Sequence, residues 1–219
     1  MVNKIKAIIA RARTIRETQG WYALLKSSLV YIQQRVYDAN DWYLFENIIK
    51  DHYEFNLQLK GNIKDYLFHN SREADAMAEL IGVDFRDHVV EARGALDNGA
   101  VALVLYSGDK VAHIGLIATT QKAKDSYCSF PFPVCFDGHQ ACSGTAYTVP
   151  EFRGQGLMQY GVYKKLQWLK SQGIVKTYNS IRCNNVASMN AYAHFGPKIV
   201  GKVRHIRFLW WESYREKKT

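Results

Sequence analysis

The chain of 219 residues is 47% hydrophobic, a length and composition typical of one globular domain. No window approaches the ~20 uncharged apolar residues of a membrane-spanning helix, and the four cysteines form no CxxC pair, which excludes a zinc ribbon. The net charge of +9 comes from residues 1–40 and 201–219, whereas the middle of the chain is neutral.

These features predict free thiols in a reduced cytoplasm. The apolar run of residues 7–10 is too short for a signal-peptide core. Cys128, Cys135 and Cys142 are evenly spaced, with His139 between the last two. That spacing leaves a metal site as a minor alternative, and no metal is expected.

The first 40 residues predict two helices. Ile5, Ile8, Ile9, Ala12 and Ile15 form an apolar stripe beside basic residues, which indicates a basic amphipathic helix ending near Gly20. A second helix runs from Trp21 to Val36 and ends at residues 38–41. We expect this pair to pack on the core of the protein through Ile5, Ile8, Trp21 and Leu25; contact with an anionic membrane is the alternative.

The next segment alternates strand and helix patterns. Residues 42–49 and 65–69 are aromatic and β-branched, as in strands. Ser71, as the N-cap, begins a helix that ends at Ile81-Gly82, and residues 85–96 predict a weaker one. Residues 100–106 and 111–119 flank Ser107-Gly108-Asp109-Lys110, which predicts a hairpin.

Two segments carry less regular patterns. Residues 121–140, with Phe130-Pro131-Phe132-Pro133, predict an irregular loop that either shapes access of a substrate or is a surface excursion. Near the end, Ile206, Phe208 and Trp210 alternate with His205, Arg207 and Leu209 in a late strand, and residues 212–219 predict a charged tail.

A glycine turn lies at the centre of the chemistry. Arg153-Gly154-Gln155-Gly156 follows the strand-like residues 146–149 and precedes Met158, Val162, Leu166 and Leu169 at helical spacing. Glycines let the backbone approach a ligand, and the free N–H groups of a helix N-terminus favour an anion such as a pyrophosphate. The turn therefore predicts an anion site.

A second motif follows downstream. After a strand-like run over residues 174–182, Asn185, Ser188 and Tyr192 fall on one face of a predicted helix, and Phe195-Gly196 ends it. In this order the two motifs resemble the GNAT superfamily of acyl-CoA-dependent N-acetyltransferases. The resemblance covers residues 142–200 well and residues 63–120 in element order, and it does not cover residues 1–60. Met158 and Pro197 depart from the family pattern.

The resemblance implies an α/β (α+β) fold. The expected core is a mixed, mostly antiparallel central sheet with a splayed fourth strand, flanked by helices. Residues 42–219 would form an acyl-CoA-binding N-acetyltransferase domain and residues 1–41 a basic helical extension. The residues implied to hold coenzyme A are Thr148, Val149, Arg153, Gly154, Gln155, Gly156, Leu157, Met158, Asn185 and Ser188.

The implied reaction moves an acetyl group from acetyl-CoA to a primary amine of a small-molecule or sugar/glycolipid-type acceptor through a tetrahedral intermediate. By resemblance, the Val149 N–H faces the thioester carbonyl and Tyr192 protonates the leaving thiolate. A buried structural tyrosine is the plainer alternative for Tyr192.

The general base is not assigned. Some members of the superfamily carry it at positions equivalent to Ser143, Thr145 or Tyr147, of which two cannot titrate usefully. His139, His113, Glu46 or a chain of waters remain open.

Other functional classes stay open as well. The chain is an acyl-CoA sensor without turnover if the site only binds, or an anionic-surface binder if its basic ends dominate. Nucleic-acid binding is not expected, since the middle is neutral and carries no such motif. A homodimer also remains open.

Overall fold

A computed structural model describes residues 2–128 and 130–217, with side chains for 8–33, 36–128 and 130–216. The helices are α1 (Val2–Val36), α2 (Ser71–Ile81), α3 (Ala92–Asp97), α4 (Gln121–Tyr127), α5 (Leu157–Ser171) and α6 (Val186–Ala193). The strands are β1 (Tyr37–Ile48), β2 (Ile63–Phe68), β3 (Val101–Ser107), β4 (Lys110–Ala118), β5 (Gln140–Thr148), β6 (Lys176–Arg182), β7 (Lys198–Phe208) and β8 (Trp211–Lys217).

The eight strands form one sheet in the order β2-β3-β4-β5-β6-β1-β7-β8. Strands β5 and β6 run parallel, and the other neighbouring pairs run antiparallel. The predicted fold class, a mixed and mostly antiparallel sheet with flanking helices and an N-terminal helical segment, is confirmed.

The half of the sheet built from β2, β3 and β4 holds the largest apolar cluster. Nearly every residue of β3 and β4 is buried, as the continuous apolar runs of the predicted hairpin require.

Helix α2 begins one residue earlier than predicted, because Asn70 and not Ser71 is its N-cap and accepts the Glu73 N–H. Gly82, at φ 71°, ends it in the left-handed conformation.

The fourth strand in the sheet order, β5, diverges from its neighbour as predicted. Residues 140–142 pair with residues 176–178 of β6, and the pairing stops there although β5 continues to Thr148. On its other side β5 is bulged, since Ile114 pairs with Tyr147 but Leu116 pairs with Gly144, and Thr145 takes φ 45°. The bulge breaks the simple alternation of Ser143, Thr145 and Tyr147.

Several predicted boundaries are wrong. Residues 38–41 belong to β1 and do not end a helix, because β1 is paired on both sides, by β6 and by β7. The predicted weak helix over residues 85–96 is a short 3-10 turn followed by α3. Residues 121–127 form α4 within the predicted irregular loop. The predicted charged tail is β8 over residues 211–217, whereas residues 218 and 219 lie outside the described part.

Helix α1 breaks at Gly20 (φ 82°, ψ 175°), where the sequence predicts the first helix to end. Before the break it packs on the domain: Arg11 Nη1 donates to the His88 carbonyl at 3.0 Å and Arg11 lies over the Tyr147 ring. After the break, Trp21 and Leu25 are 66% and 62% exposed, so the predicted core role of these two residues is wrong.

Within the predicted stripe before the break, Ile8, Ala12 and Ile15 are half-buried and Ile9 is exposed. The side chain of Ile5 lies outside the described part. None of the described helices has both the length and the apolar character needed to cross a bilayer.

Candidate active site

The glycine turn leads directly into α5. Gly154 and Gly156 take φ 74° and 76°, values that favour glycine. Gly156 is the N-cap of α5, and among the described residues no side chain caps this helix and no acid lies in its first turn. The Arg153 Nε donates to the Thr148 carbonyl at 3.1 Å and ties the turn to the end of β5. The helix therefore presents uncapped N–H groups suited to an anion.

The two glycines differ in their surroundings. A Cβ on Gly154 would meet no described heavy atom within 4 Å, whereas one on Gly156 would lie 3.1 Å from Leu57 Cδ1. Leu57 belongs to residues 49–62, which connect β1 to β2 along α5 and stack Phe55 on Tyr163. Gly154 is therefore open to a ligand, and Gly156 is packed by the connection.

The backbone at the end of β5 corrects one predicted role. The Val149 N–H donates to the Ala112 carbonyl at 3.0 Å, so it is not directed at a thioester. Successive N–H groups of a strand point to opposite edges. The Thr148 N–H therefore points toward the open edge of β5, where β6 has separated.

Where β5 and β6 part lies a cavity of about 380 Å³, the reaction cavity. The residues that line it from the side of α5 and α6 are Met158, Asn185, Ser188 and Tyr192. The opposite face of the sheet contributes Trp42, Phe130 and His205. The splay thus lets one cavity reach through the sheet, and it unites four of the predicted site residues. Thr148, Val149 and residues 153–157 adjoin it at the glycine turn and do not line it.

Tyr192 is 4% exposed and is held by a buried lysine. The Lys165 Nζ donates to the Tyr192 Oη at 2.8 Å, and Lys165 itself is 3% exposed. Because the phenol oxygen accepts from the ammonium, its own O–H remains available to donate. An ammonium donor also stabilises negative charge on the oxygen. The Tyr192 hydroxyl is therefore held in place at the reaction cavity.

Asn185, Ser188 and Met158 join α6 to α5. The Asn185 side chain caps α6 by accepting the Ser188 N–H at 3.1 Å, and the Ser188 Oγ lies 3.7 Å from the Met158 Sδ. Met158, which departs from the family pattern, therefore lies beside the first turn of α6.

The reaction cavity also holds buried polar atoms with no hydrogen-bond partner among the described residues. They are the Trp42 Nε1, the Asn179 Oδ1 and both ring nitrogens of His205. Asn179 and His205 are 2% and 4% exposed. Burial lowers the pKa of His205 below 6.5, although the nearby Glu212 opposes the shift. An imidazole that is neutral at pH 7 therefore faces this cavity.

Sequence reasoning missed His205 as a candidate. The alternating pattern places His205 on the late strand, but it does not show that this side chain faces the cavity. It pairs with Asn40 of β1, whose position beside β7 the sequence does not reveal.

The comparisons with known proteins place this geometry in a family. The sequence profile described as the Acetyltransferase (GNAT) family matches residues 66–196, more than half of the chain. The chain belongs to the GNAT acetyltransferase family. The match begins in β2 and ends just after α6, so it includes the splay, the glycine turn and Tyr192. No curated protein gives a significant match.

Solved structures resemble this GNAT chain at low identity. A GCN5-related N-acetyltransferase from Sphaerobacter thermophilus aligns with TM-score 0.49 and 11% identity over 87% of this chain and 56% of its own. A GNAT-family acetyltransferase from Colwellia psychrerythraea aligns with TM-score 0.43 and 15% identity over 90% and 63%. The present chain thus spans less than two thirds of either solved chain.

Of the residues considered as a base, Ser143 and Thr145 line the reaction cavity, whereas Tyr147, His113, Glu46 and His139 do not. His113 is buried against Gly161 of α5, and burial together with Lys165 lowers its pKa to about 3. Its Nδ1 lies 2.8 Å from the Thr148 Oγ1, so it supports the end of β5. Glu46 accepts from the Tyr178 hydroxyl at 2.8 Å. His139 is exposed in a turn.

A thiol also faces the reaction cavity. Cys128 lines it, and a hydrogen bond from the Cys142 thiol lowers the pKa of Cys128 to about 7. The same interaction and burial raise the pKa of Cys142. Among the described residues, no three His, Cys, Asp or Glu side chains are grouped so as to hold a metal ion.

A second concave surface, the aromatic groove, continues from the reaction cavity. It has a volume of about 590 Å³ and shares Trp42, Phe130 and Ser180 with that cavity. The residues that give it its character are Phe132, Pro133, Val203, Tyr214 and Glu216. Residues 130–133 of the segment predicted to be an irregular loop therefore form one wall.

Proposed function

We propose that this GNAT chain is an N-acetyltransferase that moves an acetyl group from acetyl-CoA to a primary amine. The observation that carries the proposal is the reaction cavity, which reaches through the sheet at the splay between β5 and β6. Acetyl-CoA would enter from the side of α5 and α6, and the amine from the opposite face. Membership of the family and the buried Tyr192 support turnover over binding alone.

The pyrophosphate of acetyl-CoA would lie on the N–H groups of residues 154–158. No described side chain caps these groups, and the two glycines among them have positive φ. The dipole of a 15-residue helix also favours negative charge there. Arg153 is exposed beside the turn and adds a positive charge. Asn185 and Ser188, at the start of α6, would flank the pantetheine arm.

In the proposed reaction, His205 accepts a proton from the acceptor ammonium, and the free amine nitrogen attacks the thioester carbonyl carbon. The Thr148 N–H would donate to the resulting oxyanion. The C–S bond then breaks, and Tyr192 gives its phenolic proton to the thiolate while Lys165 stabilises the phenolate. As the intermediate collapses, the former amine nitrogen loses its second proton, which passes to the Tyr192 phenolate and restores it. The products are the amide and free coenzyme A, and His205 releases its proton to solvent.

The acceptor would occupy the aromatic groove. Its walls combine mostly apolar and aromatic side chains with the polar Ser180, Lys202 and Glu216. They lie next to His205, which stacks on Tyr214 at 4.7 Å between ring centroids. Such a groove favours an amine attached to an apolar or aromatic group over a small polar amine. A glycolipid-type acceptor meets this requirement, whereas a free amino sugar meets it poorly.

Calorimetry with coenzyme A tests the cofactor side. Gly154→Val should abolish binding, because the new side chain lies in the open space before the turn. Gly173→Val is the matched control: Gly173 has φ 71° and open surroundings but follows the other end of α5. If Gly154→Val binds coenzyme A as the parent does, the turn is not the pyrophosphate site.

Release of free thiol from acetyl-CoA tests the reaction itself. Arylalkylamines should be acetylated faster than ethanolamine, spermidine or glucosamine. Cys128→Ser separates the proposed direct transfer from an acetylated cysteine intermediate. Activity should survive this change, and its loss with coenzyme A binding intact would favour the covalent route.

A further inference from the structure

One surface of the protein exposes large apolar side chains in two segments, residues 21–37 and 208–211. Within the first, Tyr22, Leu25 and Leu29 are 81%, 62% and 68% exposed. Within the second, Trp210 and Trp211 are 89% and 51% exposed. We call these two segments together the exposed apolar face.

The two segments meet at the end of α1. Tyr37, which follows α1, pairs with Phe208 at the end of β7. The Leu209 N–H donates to the Val36 carbonyl at 2.9 Å. The turn between β7 and β8 is thus bonded to the end of α1. Large apolar side chains that are exposed together on a soluble protein mark an interaction site.

The composition of the face favours a lipid surface. Three of the five tryptophans of the chain, Trp21, Trp210 and Trp211, lie exposed on it, together with Tyr22, Tyr31 and Tyr37. Tryptophan and tyrosine are the side chains that prefer the boundary between lipid headgroups and acyl chains.

The charge favours an anionic lipid surface over a second copy of the chain. Residues 21–37 and 208–211, which form the face, carry two basic residues, Lys26 and Arg35, and no acidic one. A second copy docked on this face would bring basic segments together, whereas an anionic bilayer would neutralise them.

We propose that the exposed apolar face holds the enzyme on an anionic membrane surface, with the part of α1 after Gly20 and the turn between β7 and β8 inserted among the headgroups. This assignment differs from the sequence-based alternative, which used all of residues 1–40, because the part of α1 before Gly20 packs on the domain. It does not depend on the proposed reaction.

Co-sedimentation of the full chain with vesicles tests the proposal. The protein should bind phosphatidylcholine vesicles that contain phosphatidylglycerol, bind pure phosphatidylcholine roughly tenfold more weakly, and lose affinity as salt rises. Its tryptophan emission should shift to shorter wavelength on binding. Leu25→Ser with Leu29→Ser, and separately Trp210→Ser with Trp211→Ser, should each reduce vesicle affinity roughly tenfold.

Leu80→Ser is the matched control, because Leu80 is 80% exposed on α2, away from the face. Binding of coenzyme A and the melting temperature should be unchanged in all three variants, which separates this test from that of the proposed reaction. Absence of binding to anionic vesicles, or equal binding by the double variants, would overturn the proposal. So would light scattering that shows a dimer dissociated by the Leu25/Leu29 variant, since a second copy would then cover the face.

Discussion

The two halves of the sheet differ in what they bury. The half with β2, β3 and β4 buries aliphatic side chains such as Leu103, Ile114 and Leu116. The half with β5, β6, β1 and β7 buries Asn47, Thr177, Asn179 and His205. Of the five residues with buried polar atoms that lack a described partner, four lie in this second half, and Tyr106 is the exception.

A buried polar group without a partner costs free energy, typically about 1–3 kcal/mol. Such groups take their partners from a ligand, an ion or water. The contrast therefore indicates that the aliphatic half supplies stability, whereas the polar half holds the proposed site. Variants in each half should separate these two contributions.

The largest expected effect lies in the polar half. His205→Gln should lower kcat/KM for the amine by about 10³-fold, within the range for general base catalysis, while coenzyme A binding is retained. Since burial lowers the pKa of His205 below 6.5, activity of the parent should fall only as pH drops below that value.

The exposed His139→Asn serves as the control for His205→Gln. An unchanged rate in His205→Gln, measured by thiol release across pH, would mean that water removes the proton.

In the aliphatic half, Leu116→Ala should cost about 3 kcal/mol of unfolding free energy, because Leu116 is fully buried and the change leaves a cavity. Denaturant unfolding measures this loss. The affinity for coenzyme A of the folded variant should match the parent, and Leu80→Ala should lose almost no stability. A large loss of affinity in Leu116→Ala would show that the halves are not separable.

Tyr192 tests the contrast between the two halves further, because it is buried and yet belongs to the proposed site. Tyr192→Phe should lower kcat by about 10²-fold with little change in coenzyme A affinity. Lys165→Met should lower kcat less, and the double variant should lose less than the sum of the two, since both act on one proton. Full activity in Tyr192→Phe would leave the tyrosine a structural role.

The effect expected of His113, which lies at the boundary between the halves, is the smallest at neutral pH and appears only as pH falls. Burial lowers its pKa from the ordinary histidine value of 6.5 to about 3 in the folded chain, so the unfolded chain binds a proton that the folded one excludes. Stability should be fully present above pH 6.5 and should fall by about 1.4 kcal/mol per pH unit below it.

Melting curves from pH 7 to about 4 measure the contribution of His113. His113→Asn should flatten the slope even if it lowers the melting temperature. An equal slope in this variant would assign the acid sensitivity to other groups.

Sequence reasoning predicted the parts of the fold in which local pattern decides structure. The hairpin of β3 and β4, the glycine turn before α5 and the helix α6 each follow from residues close together in the chain. The same holds for the site: Asn185, Ser188 and Tyr192 share one helix and reach the reaction cavity together.

The rest depends on partners far apart in sequence. Val149 is a plausible oxyanion donor until its N–H is seen to donate to Ala112, which a bulge at Thr145 decides. His205 faces the cavity because β7 lies beside β1, a strand from the other end of the chain. Trp21 and Leu25 fit a core pattern, and only the break at Gly20 directs them away from the domain.

The position of β1 between β6 and β7 has a consequence for how the chain folds. Until residues 176–208 are made, both edges of β1 lack their strands, so a nascent chain leaves an aromatic edge open to wrong pairing. Pairing β1 with strands far along the chain also requires the closing of long loops, which slows folding. Synthesis of the full chain should therefore depend on chaperones more than its size implies, and chains shortened before β7 should aggregate.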